Sequence, residues 1–344
     1  MTYYGAIKFK NQAKFHPLKY LIDILNYLEK TNCNLYENTK VIDINENDGH
    51  YDVITEDHVI NAKYVVLATH YPIFNFPGFH FLKMYQDRSY IIAIETQEKL
   101  FEGMYIASET PAISFRTAKF GDKELLLVAG GDHKTGDKAA NTESAYTDLE
   151  NYIKTIYPDA KVLYKWCTED CITLDKIPYI GNFSNLMPNV FMATGFKKWG
   201  MTSSHVAAQI ILDKIQGVKN PYEDVFSSTR LNPIKNKEEL GTNLGQVIKS
   251  LILSRLNIPD EKFEDIQNNG GGIVLYKGEK VGIYKDELGE IFAVKPYCAH
   301  LGCELTWNNL EKSWDCPCHG SRFDYFGNAI NEPTKKDLKA FEKF

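Results

Sequence analysis

Long apolar runs are what this sequence has least of. The longest, such as Tyr64 to Thr69 and Tyr90 to Ile94, fall far short of the roughly 20 residues that cross a bilayer, so no segment is expected to span a membrane. Blocks of one charge are missing too. Its 39 basic and 45 acidic residues are interspersed and leave a net charge of -6, which gives no electrostatic footprint for nucleic acid or an anionic surface. No apolar stretch follows Lys8 and Lys10 as a secretory signal would require, so the cytoplasm is the expected compartment. No internal repeat is visible. Cysteine is sparse, with seven in 344 residues, yet four fall between positions 298 and 318. Such clustering without an export signal argues for metal chemistry over a disulfide scaffold.

What is present describes a globular protein: 44% hydrophobic, 24% charged and 13% aromatic residues. A chain of 344 residues exceeds what one core usually organises, which predicts two domains. From His16 to Glu29, Leu18, Leu21, Ile22, Ile24, Leu25 and Leu28 form a helical stripe that Asn32 can end. Short β-rich runs follow at Asn34–Asn45, Tyr51–Thr55, Val59–Ile60 and Lys63–Thr69, with a turn at Asn47-Asp48-Gly49. A second β block, Ser89–Thr96, Met104–Ala107, Ile113–Thr117 and Leu125–Ala129, predicts an antiparallel sheet. Helices are expected over Thr142–Tyr157 and Ser203–Ile215, the latter closed by Gly217, with strands Val162–Trp166 and Val190–Ala193 between them.

This mixed α and β character covers the first 226 residues. Residues 227–265 read as a linker with one short helix near Leu244–Leu256. From 266 to 344 an all-β pattern is expected, with strands at Gly272–Tyr276, Lys280–Lys285 and Ile291–Lys295.

The chemistry concentrates in that last part. Cys298-Ala-His300-Leu-Gly302-Cys303 and Cys316-Pro317-Cys318-His319-Gly320-Ser321 each offer a thiolate and an imidazole on a tight turn, fifteen residues apart. Six ligand-capable side chains exceed the need of a tetrahedral zinc site, and the Cys-x-His pairing is not a zinc-finger spacing. The pair of loops resembles the Rieske family, in which two histidines replace two cysteines on one iron of a [2Fe-2S] cluster. The resemblance assigns Cys298 and Cys316 to one iron and His300 and His319 to the other, and implies a disulfide between Cys303 and Cys318. Neutral imidazoles lift the potential to roughly -150 to +300 mV, making a better acceptor than an all-cysteine cluster. By the same resemblance Ser321 hydrogen-bonds a bridging sulfide. Many respiratory-complex members carry a tyrosine two residues later, where this chain has Phe323, so its potential is expected to lie below theirs. Pro333 is a loose match to a loop covering the cluster.

Earlier in the chain, Leu174 to Gly181, then Asn189 to Phe196, then Gly200-Met201-Thr202 resemble the C-terminal part of the FAD-dependent D-amino-acid oxidase and glycine oxidase family, over about residues 5 to 225. That resemblance implies an α/β or α+β flavin-oxidoreductase domain with an antiparallel substrate-domain sheet. Val41 would lie against the FAD adenine. Gly181, Thr194, Gly195, Gly200, Met201 and Thr202 would line the flavin side, where a helix N-terminus favours an electron-rich ring. The family's Gly-x-Gly-x-x-Gly turn, which cradles the pyrophosphate, is absent. Met1 falls where such a fold is already well under way. The chain is therefore expected to be a truncated product, one half of a split pair whose partner chain supplies the FAD-binding unit, or a domain that no longer holds FAD.

Two look-alikes carry no site. Gly131 to Gly136 mimics a phosphate loop, but Asp137 stands where lysine is needed, and Asp43 to Asn47 mimics a calcium loop with Asp48 at its glycine and Ile54 at its glutamate position. Cys167 and Cys171 read as free thiols, and Arg116 and His133 as substrate contacts or structural residues alike. The expected function is single-electron transfer through the cluster, coupled to flavin-dependent oxidation of a small substrate. The alternative is a non-catalytic electron-transfer module whose first domain holds no FAD. A quinol-oxidising complex subunit would need a membrane anchor. Expected partners are a small-molecule substrate or an electron-transfer protein.

Overall fold

A computed structural model describes residues 5–108, 112–230, 241, 245, 257–259 and 261–341. The helix expected near Leu244–Leu256 lies, apart from Gly245, outside the described residues. The first helix, α1, spans Pro17–Leu28, with proline at its start and the His16 side chain accepting from the Lys19 amide. Its apolar stripe forms as the periodicity predicts, but none of its residues is buried, and Leu18, Leu21, Ile22 and Leu25 face outward.

Strands β1 (Val41–Asn47), β2 (His50–Thr55) and β3 (Val59–Ala62) form a meander. Its first hairpin turns on Asp48 and Gly49, both at positive φ, as a two-residue turn between twisted strands requires. Residues 34–40 are not strand, so the first β run begins later than expected. A second small sheet has the order β10 (Tyr179–Ser184), β11 (Met187–Thr194), β4 (Val65–Leu67), with β4 parallel to β11 at its edge. Helix α3 (Gly200–Gln216) covers it, packing Ala207, Ile210 and Ile211 on Ile180, Phe191 and Ala193. Gly217, left-handed at φ 71°, closes the helix.

The central element is a five-stranded antiparallel sheet, β6 (Met104–Ile106), β7 (Ser114–Phe120), β8 (Lys123–Lys134), β5 (Met84–Glu95), β9 (Lys161–Thr173). Strands β5, β8 and β9 run longer than their apolar cores because polar residues extend them. Along β5 the alternating face changes purpose. Tyr90, Ile92 and Ile94 pack under helix α2 (Ala145–Lys154), whereas Gln86 and Arg88, buried on the same face, meet the C-terminal part of the chain.

That part is all β. β12 (Gly270–Tyr276), β13 (Glu279–Lys285) and β14 (Ile291–Val294) form one antiparallel sheet; β15 (Thr306–Asn308), β16 (Ser313–Asp315), β17 (Arg322–Asp324) and β18 (Ala329–Asn331) form another. The last four strands are three residues each, too short for an alternation to show in the sequence. Trp314 and Phe323, neither exposed to solvent, pair across β16 and β17 and close a core around Cys298, Cys303, Cys316 and Cys318. No helix among the described residues is long and apolar enough to cross a membrane.

Candidate cluster centre and flavin wall

The two cysteine–histidine loops meet. Backbone bonds Gly302 N–H to Cys298 O and Gly320 N–H to Cys316 O close each into a tight turn, with Gly302 and Gly320 at φ 81° and 85°. Cys303 and Cys318 are joined by a disulfide that ties one loop to the other. Cys298 and Cys316 are free and buried. The Cys316 sulfur lies within 4.8 Å of both disulfide sulfurs, and since those two are spent on each other it is the one free thiol of that trio.

The Cys298 and Cys316 side chains hydrogen-bond to each other. That bond, with help from Ser321 and against burial, brings the Cys298 thiol down to about 7, while the same contact and full burial push Cys316 up. The pair thus holds one proton more readily than two, and metal would displace what remains. Opposite them the His300 and His319 rings stand edge to face at 5.1 Å. Burial lowers both imidazoles, to about 4 and about 3, so each is neutral with a lone pair to give. His300 Nδ1 and both nitrogens of His319 are buried without a hydrogen-bond partner. Unpaired buried donors and acceptors are costly, and these lie on the same two disulfide-tied loops as the two free thiols. Two free thiols and two neutral imidazoles with unpaired nitrogens fit a [2Fe-2S] centre.

The histidine edge faces the first part of the chain, not solvent. His300 Nε2 lies 2.8 Å from Asn75 Oδ1, Phe81 stands edge-on to His319 at 5.6 Å, and Gln86 Nε2 donates to the carbonyls of His319 at 3.0 Å and Glu332 at 2.9 Å. Pro333, buried, follows that carbonyl. Gly136 lies against the Pro317 backbone, and Thr306 Oγ1 donates to the Gly136 carbonyl at 3.2 Å. Farther along, fully buried Arg88 pairs with Glu169 at 3.3 Å and with Glu311 of the C-terminal part at 3.6 Å. None of Asn75, Phe81 and Gln86 stood out in the sequence.

The flavin-side candidates divide. Thr194 ends β11 and its hydroxyl donates to the His70 carbonyl; Gly195 follows at φ 75°, where a Cβ would strike Thr173; Gly200, Met201 and Thr202 open α3. Gly181 sits on β10 at φ 129°, near the Lys214 side chain of α3. Val41 lies apart, on β1 of the meander. The described residues offer a helix N-terminus at Gly200, where a Cβ would make ordinary contact with Phe196, and the sequence has no Gly-x-Gly-x-x-Gly turn to cradle phosphate. The fit to FAD is therefore to its ring side alone.

The remaining motifs settle into structure. The phosphate-loop look-alike is the end of β8 and the Gly136 contact, and the calcium look-alike is β1 and its hairpin. Cys167 is a free thiol whose Sγ donates to Glu311 at 2.6 Å, and Cys171 is buried 3.7 Å from His70 Nδ1. His133 stacks on Tyr90 and Arg116 touches Met104.

Comparison with known proteins agrees on both halves. The family model for FAD dependent oxidoreductases matches residues 2–214, and that for the Rieske [2Fe-2S] domain residues 258–342. YhfW of Bacillus subtilis (strain 168), a protein named for a Rieske 2Fe-2S iron-sulfur centre, is 38% identical over 338 residues, which are 98% of this chain and 66% of that protein. The iron-sulfur subunit 1 of the cytochrome b6-f complex from Nostoc sp. (strain PCC 7120 / SAG 25.82 / UTEX 2576) is 31% identical over 103 residues, 30% of this chain and 51% of that one. The chain thus spans between half and two thirds of these relatives' lengths. Among solved structures, L-proline dehydrogenase from P. horikoshii superposes with a TM-score of 0.53 at 18% identity, covering 62% of this chain and 59% of that one, a likeness of fold. The chain belongs to the FAD dependent oxidoreductase family and carries a Rieske [2Fe-2S] domain behind its flavoprotein part.

Proposed function

We propose that this protein passes single electrons through a [2Fe-2S] cluster held by Cys298 and Cys316 on one iron and His300 and His319 on the other, coupled to flavin-dependent oxidation of a small substrate. The observation that carries the reading is that one disulfide-tied pair of loops holds two free buried thiols and two adjacent imidazoles with unpartnered nitrogens. When bound, such a centre takes or gives one electron at a time. A substrate losing two electrons to flavin would therefore discharge them singly, to an electron-transfer protein. This chain's own residues do the rest. The disulfide fixes the loop spacing, the Trp314–Phe323 core excludes water, and Asn75, Phe81 and Gln86 hold the histidine edge against the flavoprotein part.

We take residues 1–226 as the flavoprotein unit, 227–265 as a connection and 266–344 as the Rieske unit. No Gly-x-Gly-x-x-Gly turn to cradle the FAD pyrophosphate occurs in this sequence. The apolar stripe of α1, which no described residue buries, is a surface on which a further polypeptide, with a strand, a Gly-x-Gly-x-x-Gly turn and a helix, would be seated. That same absence favours a second reading, in which the chain alone is an electron-transfer module. Anaerobic purification with iron, acid-labile sulfide and flavin assays separates the two. Cluster with flavin supports the enzyme, cluster without flavin supports the module, and a colourless, iron-free protein removes both.

Phe323 tests the tuning of the centre. It is fully buried, two residues after Ser321 and in the core that holds both thiols. Phe323→Tyr is expected to add a donor near the cysteine sulfurs, stabilise the added negative charge and raise the midpoint potential in a potentiometric titration. An unchanged or lower midpoint counts against this placement.

A further inference from the structure

The two nitrogens of His300 have different surroundings. Nδ1 is buried and unpartnered; Nε2 is 2.8 Å from the Asn75 side-chain oxygen. A neutral imidazole carries one proton. If Nδ1 gives its lone pair to iron, the proton sits on Nε2, where it donates to Asn75 Oδ1, and the bond the outer nitrogen makes fixes tautomer and ring orientation alike. Asn75 is itself held, since its carbonyl accepts from the Phe79 amide at 2.8 Å. It belongs to the flavoprotein part, 225 positions away from its partner.

We propose that Asn75 is a positioning residue for the cluster, supplied by the flavoprotein part. It holds the His300 proton on Nε2, makes the coordinating Nδ1 more basic and so sets the reduction potential of a centre bound 225 positions later in the chain. The inference rests on His300 being a ligand. A more basic ligand favours the oxidised centre, so this hydrogen bond lowers the potential.

The sign makes a test that loose packing cannot imitate. In the purified holoprotein, Asn75→Ala removes the acceptor and is expected to shift the midpoint upward. Asn75→Asp keeps the shape, supplies a stronger acceptor with a negative charge beside the Lys335 cation that already influences His300, and is expected to shift it downward. Midpoints are read by redox titration followed by electron paramagnetic resonance, with iron and sulfide assayed on the same samples. Opposite shifts at full cluster content support the assignment; shifts of the same sign, or none, overturn it. Should Asn75→Ala fail to accumulate, the isosteric Asn75→Asp decides alone, a downward shift supporting and any other result overturning. A wild-type protein with no cluster would instead defeat the reading on which the inference stands, and the two failures are told apart by the iron assay.

Discussion

Replacing His300 and His319 together by alanine is expected to abolish the cluster, with loss of iron, acid-labile sulfide and visible absorption, while the C-terminal strands remain folded. The expectation follows from what each side chain does. The apolar core beside them is built from Trp314, Phe323, Leu305 and the cysteines. His300 Nδ1 and both nitrogens of His319 are buried with no protein partner, so truncation removes three unsatisfied polar atoms and gives up the single bond from His300 Nε2 to Asn75. The disulfide stays, and with it the loop spacing. Two thiolates alone cannot complete the four-ligand set that such a centre requires. Replacing both histidines by cysteine is expected to restore ligand number at the cost of two added negative charges, and so to lower the potential toward that of an all-thiolate cluster. Iron analysis and electron paramagnetic resonance check both variants. A cluster unchanged in the double alanine variant would exclude the two imidazoles as ligands.

The parts of this molecule legible in the sequence are those whose partners are near in the chain. The cluster loops could be read because each thiolate–imidazole pair lies within a few residues, on a turn that Gly302 or Gly320 makes feasible. The large antiparallel sheet could be read from its alternation and turns. Strand β10 escaped notice because Pro178 precedes it and Gly181 and Asn182 interrupt its apolar run. The α1 stripe was visible as a period, but a period says that an apolar face exists and not what lies upon it; here nothing among the described residues does. The docking of the two parts left no local trace. Gln86 reaches His319 across 233 positions, and neither member carries a pattern that names the other. Gln86 and Arg88 lie in the polar stretch Gln86–Ser89 of β5, and only their burial in the fold shows that they need partners from the C-terminal part.

That docking yields the second large effect. Gly136 occupies the left-handed region at φ 71°, and a Cβ built there would stand 2.6 Å from the Pro317 nitrogen and 2.8 Å from the Cys316 carbonyl carbon. Both obstacles are backbone, in the loop that carries two of the proposed ligands, so no rotamer change can clear them. Gly136→Ala is therefore expected to cost on two counts. The left-handed backbone is worth about 1–2 kcal/mol to any residue with a Cβ, and overpacking adds about 1–3 kcal/mol. Gly121 separates the two, because it turns the β7–β8 hairpin at φ 59° with nothing within 4 Å of where its Cβ would be. Gly121→Ala is expected to show the backbone cost alone. The excess loss in Gly136→Ala, measured by denaturant titration, then reports the contact between the flavoprotein sheet and the cluster loop. Faster amide hydrogen exchange in Gly136→Ala is expected to concentrate at residues 134–137 and 316–321, the two sides of the wedge. Equal losses in the two variants would mean that the loop yields freely at this point, and that the flavoprotein part does not hold the cluster in place there.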